Sequence, residues 1–240
     1  MDIRKFKLVK GLAEYDLNAF EHFLHVPEGL GFDMTYTFLR SGESFIETDG
    51  YQSQKEISGE IVFRDYSEYT DFIEFIGDND QLKFGYYVNA AWNYINAKVA
   101  SIGKSEIGTN GVLICPVTFI AFGTWYTPLT YTGTSISIQN GSIPSPIRIE
   151  VDGALATFTW SIGGKTGTWN GTLEAGQTLV IDSNPESIEM AIYQGGTFVS
   201  NEYVNGDFET ERFLYAPAGT NTLTVSKTSR VEVNRYAYSV

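Results

Sequence analysis

The hardest constraint on this chain is the punctuation of its C-terminal part. Ala156–Ile162, Thr166–Leu173, Thr178–Asp182, Ser187–Tyr193, Arg212–Tyr215, Thr222–Ser226 and Arg230–Tyr238 are short runs rich in β-branched and aromatic residues, with Gly and Asn turns between them. Apolar and polar residues alternate along them, and a period of two sends one row to a core and the other to solvent. Such runs predict short strands, and closely spaced short strands predict an antiparallel sandwich of ~100 residues. No stretch in this part has a helical pattern.

The stretch Gln139–Gly153 precedes this sandwich and reads as a seam. Pro144 and Pro146 fix their own φ and push the preceding residues Ile143 and Ser145 into extended backbone. Ile147, Ile149 and Val151 then alternate with Arg148, Glu150 and Asp152, which starts a new strand. A stiff joint is therefore expected at 140/141, with one domain over 1–140 and a second over 141–240.

Before the seam the pattern is β-rich with one clear helix. Strands are expected at Phe6–Leu12, Asp33–Leu39, Phe45–Thr48, Tyr51–Phe63, Leu82–Val88, Asn93–Ile102, Val112–Trp125 and Tyr131–Ile138. Leu17, Phe20, Phe23 and Leu24 have a three-and-four spacing that suits one or two helical turns. The strongest helical signal is Tyr66–Ile76: Tyr69, Phe72, Ile73 and Ile76 share a face, Asp65 or Ser67 can cap the start, and Gly77–Asp80 supplies the stop. No internal repeat or low-complexity segment is present.

Composition narrows the function classes. The formal charge is −13, with 10 Lys+Arg against 18 Asp+Glu in 1–143 and 6 against 11 in 144–240. Such a field repels a phosphate backbone and an anionic membrane surface, so neither nucleic acid nor membrane is an expected partner. Cys115 is the only cysteine, which excludes an intrachain disulfide and a multi-cysteine metal site, and its apolar surroundings fit a small buried hydrophobe. The first residues lack the apolar core of a signal peptide, and no run approaches the ~20 apolar residues of a membrane span. Assembly in a cytoplasm is the expectation.

Residues capable of chemistry are few. His22 and His25 are the only histidines, and without a His-Glu-x-x-His spacing they read as a partly buried structural pair. No nucleophile elbow, phosphate loop or dinucleotide fingerprint occurs. Asp65, Glu68 and Asp71 fit the polar face of the helix, and Asp78-Asn79-Asp80 fits a turn. The latter also resembles the start of a calcium loop, but Lys83 and Asn89 stand where the Gly and Glu of such a loop belong. Trp160 alternates with Phe158 and Ile162 and reads as core. Trp169, between Thr168 and Asn170, is the one candidate platform for stacking a sugar.

Several marks in order along the chain resemble the distal tail proteins of long-tailed phages infecting Gram-positive bacteria, the hubs that join tail tube to baseplate or tip. They are Tyr15-Asp-Leu-Asn18, Phe23-Leu24, Pro27–Phe32, Ile57–Phe63, the helix aromatics Tyr66, Tyr69, Phe72 and Phe75, Leu82–Val88, Val117–Phe119 with Trp125-Tyr126, Pro146–Gly153, Leu179–Asp182 and Pro217–Val225. Thr220 stands where an acidic residue is common in that family. The resemblance implies a mainly β protein: an N-terminal split-barrel or β-sandwich domain with one helix, and a C-terminal galectin-like (jelly-roll) β-sandwich. It implies a hexameric ring with no enzymatic activity, no catalytic residue, no cofactor and no metal. The implied partners are other copies of itself, the tail tube protein, the tip protein and receptor-binding or baseplate proteins, in a virion tail tip assembled in the host cytoplasm. The alternative is a carbohydrate-binding module for host wall polysaccharide, with Trp169 as a contact.

Overall fold

The computed structural model describes residues 5–17, 22–31, 34–41, 44–52, 55–77, 82–106, 111–185, 187–208 and 213–237. The chain divides into two compact units, with the division between Tyr126 and Thr127. This is earlier than the 140/141 boundary expected from the prolines. The cause is the strand Leu113–Gln139, which carries the chain through the boundary and places Ile136 and Ile138 in the second core.

In the first unit the strands are β1 (Lys5–Lys10), β2 (Ala13–Asp16), β3 (Met34–Ser41), β4 (Ser44–Gln52), β5 (Lys55–Phe63), β6 (Leu82–Val88), β7 (Ala91–Ile102), β8 (Ser105–Glu106) and the start of β9 (Leu113–Gln139). They run antiparallel in the order β2-β1-β6-β7-β9, with β5 and β8 also on β9. β3 and β4 form a hairpin that, among the described residues, pairs with no other strand. Alternation builds the core: Phe6 and Leu8, Ile57, Ile61 and Phe63, Phe84 and Tyr86, Ile95 and Ala97 are all buried, each two or four residues from the next on its strand.

Helix α1 (Tyr66–Ile76) has the bounds its pattern predicts. Asp65 is the cap, its Oδ1 accepting from the Glu68 N–H at 2.9 Å, an arrangement worth about 1 kcal/mol. Phe72 and Ile76, one turn apart, are the residues it buries, and full burial of a side chain like Phe72 contributes roughly 2–3 kcal/mol. No helical turn occurs at Leu17 or at 22–24, and residues 18–21 lie outside the described residues. Instead Phe23 bridges to Ile61, and Leu24 donates its N–H to Glu60 O at 3.0 Å. The spacing that looked helical packs Phe23 against Gly59, where an added Cβ would come within 3.0 Å of its ring.

Tyr15 packs edge-on against Phe72 with centroids 5.2 Å apart, beside the acidic side of α1. Burial, then the charges of Glu68 and Asp71, push its phenol up to about 12. The unfolded chain ionises near 10, so this contribution is present below pH 10 and disappears as pH rises through 12. After allowance for solvent, wild type should lose about 1–2 kcal/mol more than Tyr15→Phe between pH 9 and pH 12. Denaturant unfolding at the two pH values measures this; equal losses would contradict it.

The second unit contains the rest of β9, then β10 (Ser145–Asp152), β11 (Leu155–Ile162), β12 (Lys165–Leu173), β13 (Gln177–Asp182), β14 (Glu189–Gln194), β15 (Thr197–Asn201), a 3-10 turn at Tyr203–Asn205, β16 (Gly206–Phe208), β17 (Tyr215–Ala216) and β18 (Thr220–Ala237). One antiparallel run is β15-β14-β13-β10-β18, and the other is β16-β12-β11-β18. β18 serves both: Thr224 and Val225 pair with β11, while Arg230–Val233 pair with β10. Its turning point is at Lys227–Ser229, where the Ser229 hydroxyl donates to Lys227 O at 2.8 Å. A strand that changes sheets in this way makes the corner of a sandwich.

The proline stretch lies inside this second unit. Asn140 Nδ2 reaches Ile143 O, Ala216 O and Pro217 O at 3.0, 2.9 and 3.1 Å, while its Oδ1 accepts from Gly141 N–H and the Ser145 hydroxyl, both at 2.8 Å. Asn140 and Gly219 also exchange backbone bonds through Gly141. Pro144 and Pro146 therefore close a turn that is tied to β17, and they are not the joint between the units.

Candidate functional site

The sugar-platform candidate is buried. Trp169 on β12 has no exposed surface, and its indole N–H donates to Glu202 Oε2 at 3.1 Å. Glu202, itself buried, also accepts from the Ser200 hydroxyl at 2.7 Å and from Asn205 Nδ2 at 2.6 Å. Room for the indole comes from Gly171, where a Cβ would fall 2.3 Å from the ring, as Gly167 makes room for Trp160. The expectation that Trp169 is exposed is thus corrected: both its faces are covered by the core, and neither is open to a pyranose. Trp160 is in the same core, as its alternation predicts.

The histidines separate. His22 is buried and bonds Glu68 Oε1 through Nε2 at 3.1 Å, whereas His25 is exposed. Glu68 Oε2 accepts from the Arg64 N–H at 2.6 Å, Asp65 caps the helix and Asp71 lies exposed. Two of these three acids therefore hold structure. Asp78-Asn79-Asp80 lies outside the described residues. Cys115 is a buried thiol in the first core. Among the described residues no group of three or more His, Cys, Asp or Glu could hold a metal ion, and no helix is long and apolar enough to cross a membrane.

The densest charge cluster is one the sequence did not single out. On β10 Arg148 contacts Glu150 Oε1 at 2.9 Å, Asp182 Oδ2 at 3.5 Å, Glu189 Oε2 at 3.7 Å and Glu232 Oε2 at 3.9 Å. Arg230 adds a bond to Glu150 Oε2 at 3.1 Å. Burial works against the charge on Arg148, but the Glu150 bond and the surrounding carboxylates outweigh it and hold the guanidinium above its ordinary range. Pro146, Arg148, Asp182, Asn184, Glu232 and Asn234 line a shallow cavity of about 160 Å³ beside it. Register brings these residues together: Arg148 faces Asp182 on β13 and Glu232 on β18. The strand patterns were legible, but their pairing was not.

Nothing in this arrangement offers a nucleophile, a poised acid–base pair or an open aromatic platform. Residues 5–122 match the family model of the distal tail protein, N-terminal domain, and over that stretch the chain belongs to the distal tail protein family. Curated proteins give no significant match. Among solved structures, a chain of the phage P2 baseplate in its activated conformation with calcium is similar over 100% of both chains, at 17% identity and a TM-score of 0.71. The crystal structure of SPP1 Dit, described as a paradigm of hub adsorption apparatus in phages infecting Gram-positive bacteria, matches 98% of this chain and 100% of its own, at 10% identity and a TM-score of 0.67. At these identities the likeness concerns the fold, which is mainly β as the resemblance implied.

Proposed function

We propose that six copies of this chain close into a hub ring at the tail tip, joining the tail tube to the baseplate and host-adsorption apparatus. The N-terminal domain builds the ring, the galectin-like sandwich serves as an attachment module, and the work is mechanical with no catalytic step. Partners are other copies of the chain, the tube protein, the tip protein and receptor-binding proteins, and assembly takes place in the host cytoplasm. The observation that carries the ring is the β3–β4 hairpin: it has no pairing partner in its own chain among the described residues. An isolated two-stranded hairpin is marginally stable in water and needs another surface to cover it. A second copy in a closed ring supplies such a surface at every position. The carbohydrate reading has lost its main support, because Trp169 is enclosed. Replacing residues 34–52 by a short Gly-Ser turn should leave a folded monomer, where the full chain assembles. Unchanged assembly on size-exclusion chromatography with light scattering would overturn the hairpin's role.

A further inference from the structure

A second cavity in the sandwich shares none of the residues that line the one beside Arg148. Three short stretches wall it: Pro144 just ahead of β10, Ile162, Gly163 and Lys165 around the β11–β12 turn, and Tyr215 with Pro217 at β17. Its volume is about 350 Å³, at the lower end of the range for pockets that hold a ligand. The floor is Ile162, which belongs to the second core. Ser145 pairs with Ala216 and Pro146 with Tyr215; Ser145 and Ala216 point inward and are fully buried, so Tyr215 falls on the opposite side of the pair, where it is half-buried. Pro144 and Pro217, one step beyond this pair on either segment, line the cavity with it.

The walls are held in place before anything enters. Asn140 Nδ2 donates to Ile143 O, Ala216 O and Pro217 O, so the peptide ahead of Pro144 and the two around Pro217 hang from one amide. Asn221 Nδ2 adds a bond to Pro217 O at 2.9 Å. On the third side Gly163 and Gly164 turn with φ of 59° and 78°, and a Cβ on Gly163 would come within 2.9 Å of Pro217 Cγ, so the turn lies against that ring. A site whose walls are already ordered loses little entropy when it is filled. Its chemistry then selects the occupant. Among the lining side chains only Tyr215 and Lys165 carry polar groups. Flat proline and tyrosine faces suit an aromatic ring, the kind of side chain that most often anchors an interface by filling a rigid pocket. The one charge on the lining is positive, in a chain of net charge −13, and it calls for an acid beside that ring. The overall negative field argues against a phosphate backbone as the source of that negative charge.

We propose that this pocket is a docking site for a partner protein, which inserts one aromatic side chain flanked by an acidic residue between Pro144, Tyr215 and Pro217, with Lys165 pairing with the acid. The site gives the attachment module a point of contact, and it rests on the hub reading only for the partner's being a tail component. The full chain is tested with two short probes, acetyl-Glu-(5-fluoro-Trp)-amide and acetyl-Lys-(5-fluoro-Trp)-amide, by fluorine NMR line broadening. The acidic probe should bind saturably with a dissociation constant on the order of a millimolar, as befits a single anchoring residue, and several-fold more tightly than the basic one. Lys165→Glu should reverse that preference, changing the ratio of the two affinities by about tenfold. A reversal cannot arise from misfolding, which would abolish both. Pro144→Ala, at an exposed position, should weaken both probes alike, and unlabelled acetyl-Glu-Ala-amide should not compete. Absence of saturable binding well above a millimolar, a preference unchanged by Lys165→Glu, affinities unchanged by Pro144→Ala, or competition by the alanine peptide would each overturn the site. None of these results bears on the ring, which the mass of the assembled particle decides separately.

Discussion

Trp169→Ala is expected to destabilise the second unit by about 3–5 kcal/mol, the usual cost of emptying a Trp-sized site in a packed core. The ring has no exposed surface and fills the space that Gly171 leaves on the same strand. Its loss would also leave the buried Glu202 carboxylate without the indole donor, with Ser200 and Asn205 as its remaining side-chain partners. Trp169→Phe keeps much of the volume and should lose about half as much. Denaturant unfolding followed by near-ultraviolet circular dichroism measures both. A loss under 1 kcal/mol for the alanine variant would show that the ring is not packed as described. The same logic limits what a glycan-binding assay on Trp169→Ala could show, since binding would vanish through unfolding alone.

Gly141→Ala should be comparably severe, at about 3 kcal/mol or more, for a steric reason. An added Cβ would lie 1.8 Å from the carbonyl oxygen of Tyr236, a backbone atom that cannot rotate away. To accommodate it, either β18 must shift or the Asn140 turn must detach from Ala216 and Pro217. Detachment would release the bonds that hold the start of β10. Hydrogen exchange at the amides of 140–147 should therefore rise together with a drop in Tm. Wild-type protection and wild-type Tm in this variant would refute the tie between the turn and β17.

Much of the fold was legible because local signals agreed with burial. Helix α1 had an apolar face, a cap and a stop in the right order, and its bounds match the expectation. Where the signals conflicted, pairing decided. Residues 222–226 and 230–238 read as two strands, but Thr220–Ala237 is one strand, β18, which changes pairing partner between Val225 and Arg230 without ending. β15 was missed because its side chains are largely exposed and so show no alternation. The β6–β7 turn uses Asn89 and Ala90, with φ of 52° and 61°, where a glycine would have announced a hairpin. The length of β9 was hidden by Gly123 and Pro128 within it.

The candidate sites were less legible than the fold, because each is made by pairing between strands. Arg148, Asp182 and Glu232, like Pro144 and Tyr215, stand far apart in the sequence, and only the pairing around β10 brings each set together. Trp169 shows the converse error. Its polar neighbours Thr168 and Asn170 suggested exposure, whereas Gly171 two residues on was the sign that a large ring lies inward. A glycine on the same strand face as a tryptophan is thus a usable signal of burial.

The mass of the intact chain in solution, measured by native mass spectrometry over a range of concentrations, tests the hub ring most directly. A closed particle of six copies, each of 26.7 kDa, is the expected result. A monomer at every concentration, or an open series of growing oligomers with no six-copy species, would contradict it.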